Sequence, residues 1–235
     1  MKKLNLVAAI VLLVGTSANA ATMQFDFGNG TFEAGGNYNL VYSATSHNLP
    51  NAVDSTGAAT GISMVTAGFH EFGGNESGTN APAGDAAGLD PNATIDSLYG
   101  HANAGWGSAP PRTTGTLTMS GLDGSGNTTY DFSFFASRMG VSDVRDARYT
   151  VAGLNSGDDV LDAANNTSNL AYVNGITPTP AGEIVITVEK GPNNSNGVGF
   201  FYLGAMEVTS TTIPEPSTIA LLGLGGVLLA LRYRR

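Results

Sequence analysis

The chain has 235 residues, with 19 acidic side chains against 10 basic ones and a net charge of −9 at pH 7. That balance excludes nucleic acid as a partner, because a surface of this sign repels phosphates. Cysteine is absent, which excludes disulfides, a thiol nucleophile and a thiolate metal site.

The first predicted element is a targeting segment. Met1-Lys2-Lys3 is positive, Leu4 to Val14 is mostly apolar, and Ala18-Asn19-Ala20 has the small-x-small spacing of a cleavage site. This is the pattern of a secretory signal peptide over residues 1–20, removed by signal peptidase after Ala20. Export machinery is thereby a partner. Half of the basic residues lie in the two ends. Residues 21–212 keep Arg112, Arg138, Arg145, Arg148 and Lys190 against 18 acidic residues, a net charge of −13.

Strands follow, read from alternation. Met23–Phe27 places Met23, Phe25 and Phe27 on one face, and Tyr38–Tyr42 and Gly61–Val65 are the next two. Residues 66–112 form a long loop rich in Gly, Ala, Asn and Pro, with one short strand near Ser97–Tyr99. A loop of that length inside a compact domain carries function or motion. Gly115–Ser120 alternates Leu117 and Met119, and Tyr130–Ala136 alternates Tyr130, Phe132 and Phe134. These two are expected to form a hairpin through Asp123-Gly-Ser-Gly-Asn127, whose residues tolerate positive φ. Ala147–Val151, Glu183–Val188 and Phe200–Val208 complete the set. Many short strands with polar turns predict an all-β, antiparallel β-sandwich over residues 21–208. A short flexible connector is expected from about Thr209 to Ile213.

Few constellations carry chemistry. His70-Glu71-Phe-Gly-Gly74 lacks the second histidine of a zinc-protease helix and is read as loop surface. His47, His70 and His101 sit in different loops. The stretch from Asp123 through Asn127 to Asp131 puts oxygen side chains at alternate positions, as a calcium loop does. It lacks the glycine and the terminal acid of a full one. Calcium at Asp123, Asn127 and Asp131 is therefore a candidate, set against a plain polar turn. For sugar binding the candidates are Tyr99, His101, Trp106 and Arg138, an aromatic platform beside a cation. Arg145 and Arg148 lie close to Arg138 in sequence, as do Asp143 and Asp146, which would pair with them. Asn193, Asn194 and Asn196 follow a strand end.

The chain closes with three parts in fixed order. Pro214-Glu215-Pro216 is stiff and cannot continue a helix. Ile219 to Leu231 is apolar, carried by Ile219, Leu221, Leu222, Leu224, Val227, Leu228, Leu229 and Leu231. As a transmembrane helix it would span roughly 20–23 Å, short of the bilayer core of about 30 Å. Arg232, Arg234 and Arg235 end it and would hold that end at the inner face.

This tail resembles the PEP-CTERM sorting signal of Gram-negative bacteria, in residues 209–235. The resemblance implies recognition by an exosortase, a membrane cysteine protease that cuts near Pro-Glu-Pro. It implies export across the inner membrane, transient anchoring there, then release or attachment at the cell surface, often among extracellular polysaccharide. In the centre, Tyr130–Ser137, Arg148-Tyr-Thr-Val151 and Phe200–Val208 are similar to jelly-roll domains of galactose-binding type, over residues 113–208. The expectation is an exported, exosortase-processed surface or matrix protein, non-catalytic, associated with exopolysaccharide. Its alternatives are a secreted carbohydrate-active enzyme using carboxylates on the sandwich, and a purely structural surface protein.

Overall fold

The computed structural model describes residues 21–42, 46–71, 73–104, 106–107 and 109–212. The expected signal peptide, with Ala18 and Ala20, and the expected sorting segment from Ile213 to Arg235 lie outside the described residues. Among the described residues no helix is long and apolar enough to cross a membrane.

Two sheets face each other. One has five strands in the order β10-β7-β13-β1-β2, and the other has six in the order β3-β4-β6-β11-β8-β9. Their ranges are β1 Ala21–Gly28, β2 Tyr38–Tyr42, β3 Ser46–Leu49, β4 Ser63–Ala67, β6 Thr114–Ser120, β7 Thr128–Phe135 and β8 Asp146–Ala152. The others are β9 Ser156–Asp162, β10 Ala171–Ile176, β11 Glu183–Lys190 and β13 Ala205–Thr212. A two-stranded ladder of β5 Leu98–His101 and β12 Phe200–Leu203 stands apart. All neighbours pair antiparallel except β1 with β2. The sandwich expected from the alternation is the observed fold.

Alternation explains the core. On β7 Tyr130, Phe132 and Phe134 are buried, as are Tyr149 and Val151 on β8 and Ile184, Ile186 and Val188 on β11. Phe134 stacks on Tyr149 across the sheet interface, with ring centroids 4.7 Å apart. Each such ring buries roughly 150–250 Å², so the inner faces supply most of the apolar burial.

Four expectations change. The hairpin between Leu117 and Phe134 does not form, because β6 pairs with β4 and β11 while β7 pairs with β10 and β13. The segment Gly121–Asn127 instead crosses from one sheet to the other. An inward face satisfies burial equally well from either layer, so alternation alone could not separate the two arrangements. The connector from Thr209 is strand as far as Thr212, paired with β7 throughout and with β1 up to Ser210. The single strand expected over Phe200–Val208 breaks at Gly204. Its N–H donates to Phe135 O at 2.9 Å, and its carbonyl accepts from Phe27 N at 2.8 Å, which seats β12 and β13 on different partners.

The fourth change concerns residues 66–112, which are more structured than expected. They contain a 3₁₀ turn at Gly84–Gly88, a one-turn helix α1 at Pro91–Ile95, and β5. Asp90 caps α1 by accepting from Asn92 N at 2.8 Å, with Pro91 in the first turn. Proline there is a helix starter, because its missing N–H has no partner to lose.

Candidate functional site

Separate segments converge at one end of the sandwich on an open cleft of about 390 Å³. Its floor comes from the β5–β12 ladder. The register places Tyr202 opposite Tyr99 and Phe200 opposite His101, so these four rings share one face. The other face carries Leu98, Phe201 and Leu203 into the core. Gly100 keeps the ladder tight. A Cβ there would come within 2.2 Å of the Phe201 ring and 2.7 Å of Arg112 O.

Trp106, in the loop after β5, stands edge-on against this face. Its ring centre lies 5.0 Å from His70 and 5.6 Å from each of Tyr99, His101 and Phe200. Trp106 is 38% exposed, while Tyr99, Tyr202, His70 and His101 are buried. His70 and His101 stack beneath it at 4.8 Å. His101 Nδ1 donates to Asn103 O at 2.8 Å. Nε2 of both rings is buried without a partner. Burial lowers the pKa of His70, with His101 and Arg112 adding to the effect and Glu71 opposing it.

Two arginines border the rings. Arg145 donates from Nη1 to Tyr202 Oη at 2.7 Å and from Nε to Asp143 Oδ1 at 2.8 Å. Its Cζ lies 5.5 Å from the centre of the Phe200 ring, a cation–π contact. Arg138, just past the end of β7, donates from Nη1 to Asn75 Oδ1 at 3.1 Å. Gly74, Asn75, Glu76 and Ser77 form the opposite wall. Glu76 is turned toward the loop after β1, where its Oε1 accepts from Asn29 Nδ2 and from Thr31 Oγ1.

Of the sugar-contact candidates, Tyr99, Trp106 and Arg138 line the cleft, while His101 lies beneath it, fully buried. His70 was expected at the loop surface and is 3% exposed, because its ring fills the stack. Its neighbour Glu71 pairs with Arg112 at 2.8 Å. Histidines 70 and 101 come together, whereas His47 packs on Tyr42. Arg145 belongs to the site. Arg148 does not, and its Nε lies 3.6 Å from Asp158 on neighbouring β9. Phe200 and Tyr202 were read only as strand. Their spacing of two, which puts both rings on one face, was the signal for them. Asn194 is structural, donating to Asp146 O and Phe200 O at 2.8 and 2.7 Å and so fixing the start of β12.

The calcium candidates are committed to backbone and hydroxyl contacts. Asp123 accepts from Ser125 N at 2.9 Å and Thr128 Oγ1 at 2.7 Å, and Asp131 accepts from Gly175 N at 2.7 Å. Asn127 N donates to Ser125 Oγ within the same turn. Among the described residues no group of three or more His, Asp or Glu side chains is placed to hold a metal ion.

Residues 212–235 match the PEP-CTERM protein-sorting motif. The chain therefore carries the signal by which an exosortase sorts proteins to the cell surface, and an exosortase is its processing partner. No curated protein matches the chain. Among solved structures, the F5/8 type C domain of a Bacteroides fragilis protein is weakly similar, with 16% identity and a TM-score of 0.28. The match covers 50% of this chain and 75% of that one.

Proposed function

We propose that this exported protein is a non-catalytic saccharide-binding protein that holds to extracellular polysaccharide through the Trp106 cleft. The single observation that carries the reading is the half-exposed Trp106 ring. It is propped on four other rings and flanked by guanidinium and amide donors. Sugar rings have apolar C–H faces and hydroxyl edges, and an aromatic platform with polar groups at its margin meets both needs. Glycoside hydrolysis uses two carboxyl groups flanking the bond. Glu76 is the one carboxylate among the described cleft-lining residues, which supports binding over hydrolysis.

In this proposal the signal peptide directs export across the inner membrane of a Gram-negative bacterium. The run from Ile219 to Leu231 then anchors the chain until the exosortase cuts near Pro214-Glu215-Pro216. The test is a glycan array and calorimetry on the processed protein, beside Trp106→Ala. Binding to a saccharide that weakens severalfold or more in the variant is expected, since the sugar's apolar face loses its buried aromatic partner. Equal binding by both proteins would remove the cleft from the function. Release of reducing ends from the bound saccharide would replace the binding reading with an enzymatic one.

A further inference from the structure

The cleft gathers the molecule's scarce positive charge, with Glu76 as its one lining carboxylate among the described residues. Residues 21–212 hold only five basic side chains against 18 acidic ones, yet two of the five, Arg138 and Arg145, line this one site. They differ in what occupies them. Arg145 is already matched by Asp143, which also accepts from Asn196 Nδ2 at 2.6 Å. Arg138 makes one side-chain hydrogen bond, to the neutral amide of Asn75, and no ion pair among the described residues. A guanidinium has five N–H donors, so most of those on Arg138 remain for a ligand. The side chain is also half-buried, where a charge is less screened than at an open surface.

We propose that the saccharide this cleft selects is acidic, carrying a hexuronate carboxylate that Arg138 receives while the sugar ring lies against Trp106. This rests on the saccharide-binding reading above and adds the class of sugar. The planar fork of a guanidinium matches a carboxylate with two parallel N–H···O bonds. A neutral sugar placed there would leave those donors poorly matched. The molecule's overall negative charge opposes dense polyanions at long range. Beyond about 8 Å that repulsion is screened at physiological salt, so the site suits a chain in which the acid recurs sparsely.

The experiment uses matched ligands on the native processed protein. Oligosaccharides of galacturonate, glucuronate and alginate are titrated beside their carboxyl-reduced forms, which keep the ring and lose the charge, and beside sulfated neutral oligosaccharides. At least one acid is expected to bind about tenfold or more tightly than its reduced partner, as a charge-assisted hydrogen bond of this type provides. That acid-to-reduced ratio is expected to fall to about one in Arg138→Gln and to recover in part in Arg138→Lys. Equal affinity for acid and reduced forms of a binding sugar would overturn the acidic specificity and leave the saccharide-binding reading standing. Preference for the sulfate esters would overturn the uronate assignment. Binding to none of the ligands would overturn both readings together. Because the ligand pairs are compared on the native protein, a folding defect in a variant does not blur the outcome.

Discussion

Two carboxyl groups carry the clearest electrostatic strain in the molecule. Asp26 and Asp96 are 3% and 2% exposed, and each has one oxygen without a hydrogen-bond partner. The second oxygen of each accepts a backbone N–H, from Ala34 and Asn29 respectively. Burial raises Asp26 to about 7, opposed by the Ala34 hydrogen bond and reinforced by the charges of Asp96, Asp90 and Glu33. Burial likewise raises Asp96 to about 6, opposed by the Asn29 hydrogen bond and reinforced by Glu76. A carboxyl raised on folding gives its full stability below the ordinary value of 3.8. It loses that stability as pH climbs through about 7. Asp26→Asn keeps an acceptor for Ala34 and removes the buried charge. It is expected to melt a few degrees higher than the native protein at pH 8, with the gap closing near pH 4. About 1 kcal/mol moves Tm by roughly 2–4 °C in a domain of this size. A melting-temperature series across pH checks it, and a gap that is constant with pH would refute the assignment. Neither aspartate was legible in the sequence as special. Asp26 sits in an alternating strand where polar positions read as outward, and only the return of the chain at Ala34 puts it inside. Tyr99, Trp106 and Arg138 were legible, because a lone tryptophan and scarce cations stand out in such a composition.

At the scale of elements, one strand links the core to the cleft. β12 presents Phe200 and Tyr202 to the cleft, and its backbone is pinned from below by Tyr149, whose buried hydroxyl donates to Tyr202 O at 2.7 Å. Tyr149→Phe keeps the stack on Phe134 and strands that carbonyl. The expected cost is about 1–3 kcal/mol, the penalty of a buried acceptor without a donor, read from urea denaturation. A cost near zero would show that β12 finds another donor. Alternation exposed the strands with one wet face and failed elsewhere for physical reasons. β9 lies at a sheet edge, where charge guards against pairing with other chains. Its neighbours Asp158 and Asp159 point to opposite faces, and Asp159 accepts from Tyr172 N at 2.8 Å, so the strand shows no in–out alternation of apolar residues. β10 is broken by a register shift between Val173 and Ile176, with Gly175 at φ 71°. The end of β13, Thr209-Ser-Thr-Thr212, has no apolar residue and looks like linker, although threonine suits a strand by its branching. Its contacts are ladder hydrogen bonds, which leave no trace in composition.

At the scale of the whole molecule, the cleft and Thr212, the last described residue before Pro214-Glu215-Pro216, lie at opposite ends of β7. Thr212 pairs with Thr128 at the start of β7, and Arg138 follows the end of the same strand. Eight residues of strand separate those ends by about 23 Å. Ala21 pairs with Ser210, so the expected mature N-terminus lies beside the end of β13. The same geometry restrains processing, because only Ile213 separates Pro214 from a strand bonded through Thr212. If the protease engages the residues just before Pro214, Thr211 and Thr212 unpair from Thr129 and Thr128. Terminal fraying of this kind is accessible but not free. A ten-residue Gly/Ser spacer between Thr212 and Ile213 is therefore expected to speed conversion of precursor to processed protein several-fold. Changing Pro214-Glu215-Pro216 to three alanines is expected to stop it and leave a larger, membrane-associated product. Pulse-chase labelling with fractionation measures both. Unchanged kinetics with the spacer would mean that the paired strand imposes no restraint. Normal release of the triple-alanine protein would separate cleavage from the motif itself.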